Sequence, residues 1–502
     1  MPNLNKDILF LIFEELQNDP KSLFSCLMVN RLWCETAVPI LWRYPWSYSD
    51  INYGNKSYLF NIITSYFFNN IKKFITEERI RSPSIIVKPI MFDYLSFCRS
   101  INISTINNII SIGSKSNYYK FIIQQEFYCF FMKKCRDLKY LDMRSIEHQI
   151  FYFPENKNCL DLLCELKCDT SIDSSYFYGI SQFCQRIQKL VVINTDYSPN
   201  PGIVKLIEVQ KNLKHFEWID DFLNSFITEH LYKDSFFALE KKAESLNYLR
   251  IYFYYVEDND QPLFLEVLLK LYKLKTLIIG ENLFLSKEQL KTLKKQVYPE
   301  LEILNIEYNE INVASSLIEN SGGLIKKILL KPHDIIDFEL QNDNFNESSL
   351  NFIRKVYKNC PLIEYLSILI SPTKENFIEL EKLLKRCQNL KSLLIVIFDN
   401  DEDTYEENLE YGDELLNILI RSAPPNFNEI RFSNEFEFSL DILEEFLENW
   451  RGRSALSLFT IDPIYESGNY LKLINKYKND KVIKDFECVR NRFNYRIDDH
   501  IN

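Results

Sequence analysis

Side chains that do covalent or acid–base chemistry never fall into a catalytic spacing in this 502-residue chain. The five histidines, His148, His215, His230, His333 and His500, stand apart in sequence, so each is expected to be a satisfied or surface imidazole rather than a general base. There is no HExxH helix and no GxSxG turn, and GSKSN at Gly113 lacks the leading glycine and the spacing of a phosphate loop. Twelve cysteines include no CxxC pair. The nearest cluster, Cys159, Cys164 and Cys168, has a CxxxxCxxxC spacing unlike a zinc site, with His148 the only histidine nearby. Paired carboxylates are plentiful, but on solvent-facing helical positions they carry no specificity. No catalytic residue, metal or cofactor is assigned.

The whole-chain balance narrows the partners. A hydrophobic share of 46% and a charged share of 26% suit a folded chain with a sizeable core. A net charge of -11 argues against nucleic acid, because phosphate-binding surfaces collect Lys and Arg. The longest uncharged stretches, Ser57 to Ile71 and Ser100 to Ser114, are too short to span a bilayer. With Asp7, Glu14 and Glu15 interrupting the first apolar run, no secretory signal is expected, and the reading is an intracellular chain, cytoplasmic and/or nuclear, with reduced thiols.

The first 42 residues read as three short helices and a turn. Leu4 and Leu9 bracket Asn5 as a staple around an N-cap, and Ile8, Leu9, Ile12, Phe13 and Leu16 share a helical face. Asp19-Pro20 starts a second helix carrying Leu23 and Leu27. Asn30 caps a third with Leu32 and Trp33, expected to end before Pro39, after which come Leu41 and Trp42. Helices this short cannot cover so many apolar groups among themselves, so some must face a partner. The order and spacing of Leu4, Ile8-Leu9, Ile12-Phe13, Leu16, Asp19, Leu23, Val29-Asn30-Arg31, Trp33 and Leu41-Trp42 resemble the F-box. It departs at Asn5, where the family usually has Pro. The resemblance implies docking on a Skp-type adaptor, and through it on a cullin and a RING subunit, with Leu4, Ile8, Leu9, Ile12, Phe13, Leu16, Leu23, Leu27, Trp33, Leu41 and Trp42 as the adaptor-binding set. The alternative reading is a three-helix cap, which repeat arrays need. Trp42, Tyr44 and Trp46 in the LWRYPW segment are expected to wedge against the next domain, and a similar segment comes after the box in fungal F-box proteins with divergent repeats.

One apolar frame, with two residues and then one between its members, recurs along the chain. It occurs at Leu138-Leu141-Met143, Leu163-Leu166-Cys168, Ile187-Leu190-Val192, Leu213-Phe216-Trp218, Leu246-Leu249-Ile251 and Leu274-Leu277-Ile279. It continues at Leu301-Leu304-Ile306, Ile325-Ile328-Leu330, Ile363-Leu366-Ile368, Leu390-Leu393-Ile395, Phe427-Ile430-Phe432 and Leu456-Phe459-Ile461. Successive starts lie 24 to 38 residues apart, mostly near the roughly 20–29 of leucine-rich repeats. Cys135, Cys184, Cys360 and Cys387 each precede the first apolar position by three, a repeated buried site whose thiols are expected to be inert. Amphipathic runs such as 285–297, 350–358, 377–386, 414–421 and 440–450 alternate with the strands. The frames, with the cysteine in KNCPLIEYLSI and KRCQNLKSLLI, resemble the leucine-rich repeats of F-box proteins.

The expected fold is therefore α/β: an N-terminal three-helix F-box followed by an irregular leucine-rich-repeat solenoid, or horseshoe. The divisions are an F-box over 1–45, a linker and degenerate first repeat including Cys98-Ile101-Ile103 over 46–134, the solenoid over 135–465 and a C-terminal cap over 466–502. By the period-two alternation of strands, Asp142, Arg144, Glu217, Arg250, Tyr252, Asn305, Glu307, Ser367 and Arg431 would line a polar concave face suited to a protein target, or else be solvated strand positions. Residues 399–414 hold nine acidic side chains and read as a long exposed insertion. The function these resemblances imply is that of a non-catalytic substrate-recognition subunit of an SCF-type ubiquitin ligase, acting by tethering. The alternatives are a repeat scaffold without ligase association, and a ligase that itself carries ubiquitin on a cysteine.

Overall fold

The computed structural model describes residues 5–46, 59–60, 62–63, 65–66, 90–112, 116–153, 159–196, 198–221, 232–253, 261–280, 285–307, 311–331, 345–397, 405–432 and 437–488. Leu4 lies outside them, as do residues 399–404 of the acidic run. The chain divides into two compact units, Met1–Lys242 and Ala243–Asn502.

The first unit opens with three helices, α1 (Lys6–Glu15), α2 (Pro20–Leu27) and α3 (Arg31–Leu41). Asp19 accepts from Ser22 N at 3.2 Å and Asn30 from Trp33 N at 3.0 Å, so both side chains satisfy amides that the helices leave open. Asn5 stands at the N-cap of α1 in extended conformation but makes no cap bond through its side chain; only its carbonyl takes part, accepting from Leu9 N at 3.0 Å. The third helix does not stop before Pro39. It runs through it to Leu41, because a proline this close to a C-terminus removes one amide while buried Ile40 and Leu41 still pack.

Five strands come next, β1 (Ser100–Asn102), β2 (Tyr140–Asp142), β3 (Glu165–Asp169), β4 (Lys189–Asn194) and β5 (His215–Asp220), all parallel and paired in chain order. Parallel neighbours need a crossover, and helices such as Asn117–Lys134, Ser174–Ser181 and Pro201–Val209 supply it. The frame sets the register: Ile101, Leu141, Leu166, Leu190 and Phe216 sit opposite one another and are at most 1% exposed.

The second unit repeats the plan with β6 (Tyr248–Tyr252), β7 (Thr276–Gly280), β8 (Ile303–Glu307), β9 (Lys327–Lys331), β10 (Tyr365–Ile370), β11 (Ser392–Ile397), β12 (Glu429–Phe432), β13 (Leu456–Thr460) and β14 (Ile483–Cys488). They too pair in parallel and in order. Here Leu249, Leu277, Leu304, Ile328, Leu366, Leu393, Ile430 and Leu458 share one row. The last frame is thus shifted by one from the sequence reading: Leu458, not Phe459, faces Ile430, and half-buried Phe459 sits opposite Arg431. Leu458 and Phe459 are both apolar, and a one-residue slip between them stays hidden until a neighbouring strand fixes the face.

Two local features differ from the sequence reading. The acidic run is not wholly an insertion, since residues from Tyr405 onward form a helix to Ser422. The phased cysteines mark the step from helix to strand. The backbone amide of Cys135, Cys184, Cys360 and Cys387 closes the last helical turn at 2.8 Å in each case, and all four side chains are buried. Among the described residues, no helix is long and apolar enough to cross a membrane.

His148 sits in the loop after β2, 5% exposed, with Nε2 3.2 Å from Gln124 Oε1 and its ring 4.1 Å from that of Phe121. Gln124 Nε2 donates in turn to Asn107 Oδ1 at 2.9 Å, so Gln124 Oε1 is left to accept from a neutral imidazole. Burial pushes the His148 pKa down from 6.5 to about 4. The unfolded chain then binds a proton that the folded chain refuses, so this contribution to stability is complete above about pH 6.5 and lost as pH falls towards 4. A loss of about 3 kcal/mol is expected across that window. Urea unfolding of wild type and His148→Gln at pH 7 and pH 4.5 checks it: equal pH dependence in the two proteins would refute the assignment.

Candidate partner-docking surface

The first helix is apolar almost all round, reading Ile8-Leu9-Phe10-Leu11-Ile12-Phe13, which in an element this small means two faces with two partners. The inner face is settled within the element. Leu9 and Phe13 join Leu23, Cys26, Ala37, Ile40 and Leu41 in a core, with Leu16, Phe24, Leu27, Trp33 and Trp42 packed round it. Trp33 meets Phe13 edge-on at 5.3 Å. The outer face is left in water: Ile8 is 48% exposed, Leu11 65% and Ile12 44%. Beyond α2 and into α3, Met28 is 87% exposed, Val29 54% and Leu32 37%.

The residues assigned from sequence therefore separate into three kinds. Leu9, Phe13, Leu23 and Leu41 build the element; Leu16, Leu27, Trp33 and Trp42 border its core; Ile8 and Ile12 face outward. Phe10, Leu11, Met28, Val29 and Leu32 are absent from that set. Their signal in the sequence is that of apolar residues left over once one helical face has been filled.

The far end of α3 is joined to the sheet. Trp42 packs on Tyr94 with centroids 4.5 Å apart, and buried Trp46 donates from Nε1 to Ser100 O at 2.7 Å. Tyr44 stays 41% exposed. Beside this junction lies a cleft of about 490 Å³ lined by Gln17, Arg43, Tyr44, Trp46, Tyr140 and Glu165, among others.

The strand-face residues expected to meet a target are more enclosed than their alternation suggests. Asp142, Glu217, Asn305, Glu307 and Ser367 are buried, while Arg144, Arg250, Tyr252 and Arg431 are half-buried. Asp142 is held by Arg144, with Nη2 2.7 Å from Oδ2, and Arg144 itself lies in the turn past β2. The enclosure results from strand spacing, which presses each polar residue against its neighbours' side chains. Asn305, for example, has Ile278 on one side and Leu329 on the other. Tyr252, Gly280 and Glu307 occupy one register on three successive strands, and the Tyr252 hydroxyl reaches across Gly280 to Glu307 Oε1 at 2.6 Å. A Cβ on Gly280 would lie 2.2 Å from the Tyr252 ring, so only glycine lets the phenol cross. Burial and the Glu307 carboxylate push the Tyr252 pKa well up.

No family model matches the chain. No curated protein matches it either. Among solved structures it is similar to the crystal structure of a Rad7 and Elc1 complex in yeast, at 12% identity and a TM-score of 0.38, covering 91% of this chain and 98% of that one. A likeness of that degree carries no functional weight.

Proposed function

We propose that the chain is the substrate-recognition subunit of an SCF-type cullin–RING ubiquitin ligase, with α1–α3 docking a Skp-type adaptor and the strand faces meeting a protein target. The observation that carries this reading is the exposed apolar set Ile8, Leu11, Ile12, Met28, Val29 and Leu32, on and between helices whose residues resemble the F-box. Apolar surface left uncovered beside a completed core marks an interaction site. The subunit catalyses nothing; it raises the local concentration of its target near a ubiquitin-loaded partner. Two of its buried thiols fit that role. Burial pushes the pKa of Cys360 and of Cys387 up to about 12, where little thiolate is present to attack a thioester. Such a subunit would work in the cytoplasm or nucleus.

The test is co-purification with a Skp-type adaptor, comparing wild type with Leu11→Glu/Met28→Glu. Both positions are exposed, so helicity is expected to persist while binding falls below detection. A folded wild type that fails to bind where a control F-box binds would remove the ligase assignment. The second reading, a repeat scaffold without ligase association, would then stand, favoured by the uncapped Asn5 in place of the usual proline. A reducible ubiquitin adduct on the purified chain would instead revive catalysis.

A further inference from the structure

The parallel strands of the first unit are linked by a recurring rung: the carbonyl just before each strand accepts from two successive amides of the next repeat. Arg99 O accepts from Lys139 N and Tyr140 N at 2.8 and 3.0 Å, and Lys139 O from Cys164 N and Glu165 N at 3.0 and 2.8 Å. Cys164 O accepts from Gln188 N and Lys189 N at 2.7 and 3.0 Å, and Gln188 O from Lys214 N and His215 N, both at 2.9 Å. The same rung exists one step earlier, where among the described residues no strand precedes β1 in the sheet. Arg43 O accepts from Arg99 N at 2.9 Å, and the place of the second amide is taken by Ser100 Oγ at 3.2 Å. Trp46 Nε1 satisfies the outward carbonyl of Ser100. The segment leaving α3 thus closes the open edge of the sheet, an edge that would otherwise expose unpaired backbone groups.

The side chain of the same residue points the other way, into the helices. Arg43 Nη1 lies 2.8 Å from Glu14 Oε2, and Nη2 contacts Glu14 Oε1, a two-point pairing that fixes direction as well as distance. Its guanidinium carbon also stands 5.7 Å from the centroid of Phe10 on α1. Backbone in the sheet and side chain on α1 meet in one residue.

We infer that Arg43 is a positioning residue: it makes the rung that begins the solenoid and clamps α1 to it, holding the exposed face of Ile8, Leu11 and Ile12 in a set direction relative to the strand faces. Its use for ligase geometry rests on the adaptor-docking reading. In a tethering subunit that direction decides where a bound target sits, so a loose joint would blur the geometry without weakening either contact.

The experiment is a spin-label distance measurement on the full chain, with labels attached through genetically encoded azido residues at Glu15 and Gln182, both exposed and both in the first unit. Wild type is expected to show one narrow distance. Arg43→Met keeps the backbone rung but loses the clamp, and is expected to broaden or shift the distribution while helicity is unchanged and adaptor affinity stays within about twofold. The exchange Arg43→Glu/Glu14→Arg is expected to narrow it again, which a merely space-filling Arg43 would not allow. An unchanged distribution in Arg43→Met, or no recovery in the exchange, would overturn the clamp. A wild type with a narrow distance but no adaptor binding would overturn only the adaptor half of the inference, together with the proposed function.

Discussion

Phe13→Ala is expected to release the N-terminal helices while leaving the strands in place. Phe13 is 1% exposed at the centre of a core shared by all three helices, and its ring meets Trp33 edge-on. Removing a buried phenyl ring costs about 3–5 kcal/mol, the lost burial plus the cavity left behind. A three-helix element has few other apolar contacts with which to absorb that loss, so the cost falls on local opening rather than on the whole chain. Hydrogen exchange read peptide by peptide should show amides within 6–41 speeding up by about a hundred- to several-thousand-fold, with β3, β4 and β5 unchanged. Adaptor capture should fall in parallel. Uniform acceleration along the chain would mean that the element is not a separable unit of stability. No acceleration would mean that Phe13 does not hold it.

Gly412→Ala is expected to destabilise the helix Tyr405–Ser422, opposite in sign to the usual effect. At a free helical position alanine is favoured over glycine by about 1 kcal/mol. Here the added Cβ would stand 2.1 Å from Glu437 O and 3.1 Å from Phe438 Cδ1. The obstacle is backbone, and it is pinned on both sides. Ser439 N donates to Asp413 Oδ1 at 2.8 Å, and Phe438 N is 3.0 Å from the Tyr465 hydroxyl. Overpacking that moves a held backbone costs about 1–3 kcal/mol, enough to reverse the propensity gain. Exchange protection over 405–422 and 437–450 should fall in the alanine variant. A rise in protection there would show that the helix can shift and that the close approach is soft.

Much of the fold is legible in the sequence because its repeating unit is local. Leucine, isoleucine and phenylalanine at fixed offsets declare a short strand without reference to anything distant, and the spacing between frames leaves room for one helix each. Eleven of the twelve frames, from Leu138 to Phe432, have their central residue in the shared row of their unit. The twelfth slips because Leu458 and Phe459 are both apolar, so only pairing with β12 can choose between them. Pro39 and the residues from Tyr405 mislead for a related reason: local breaker and charge signals yield to packing and to helix continuation.

The candidate docking surface is half legible. Sequence periodicity identifies an apolar stripe on α1, but it cannot say which of two apolar faces the other helices will take. Leu9 and Phe13 go inward and Ile8, Leu11 and Ile12 do not, a choice made by the placement of α3.

What the sequence alone determined, then, is the parts: short strands, crossover helices, their order, and an apolar N-terminal triplet of helices, since each depends on side chains within a few positions of one another. What only the tertiary structure decided is the relations between distant residues. Tyr252 crosses Gly280 to reach Glu307 over 55 positions, and Asn305 and Ser367 are shut in by neighbouring strands. Arg43 reads both α1 and β1 at once. Periodicity carries the first kind of information because it is a property of one segment; burial, clamping and register belong to pairs of segments, and a chain specifies those only once it has folded.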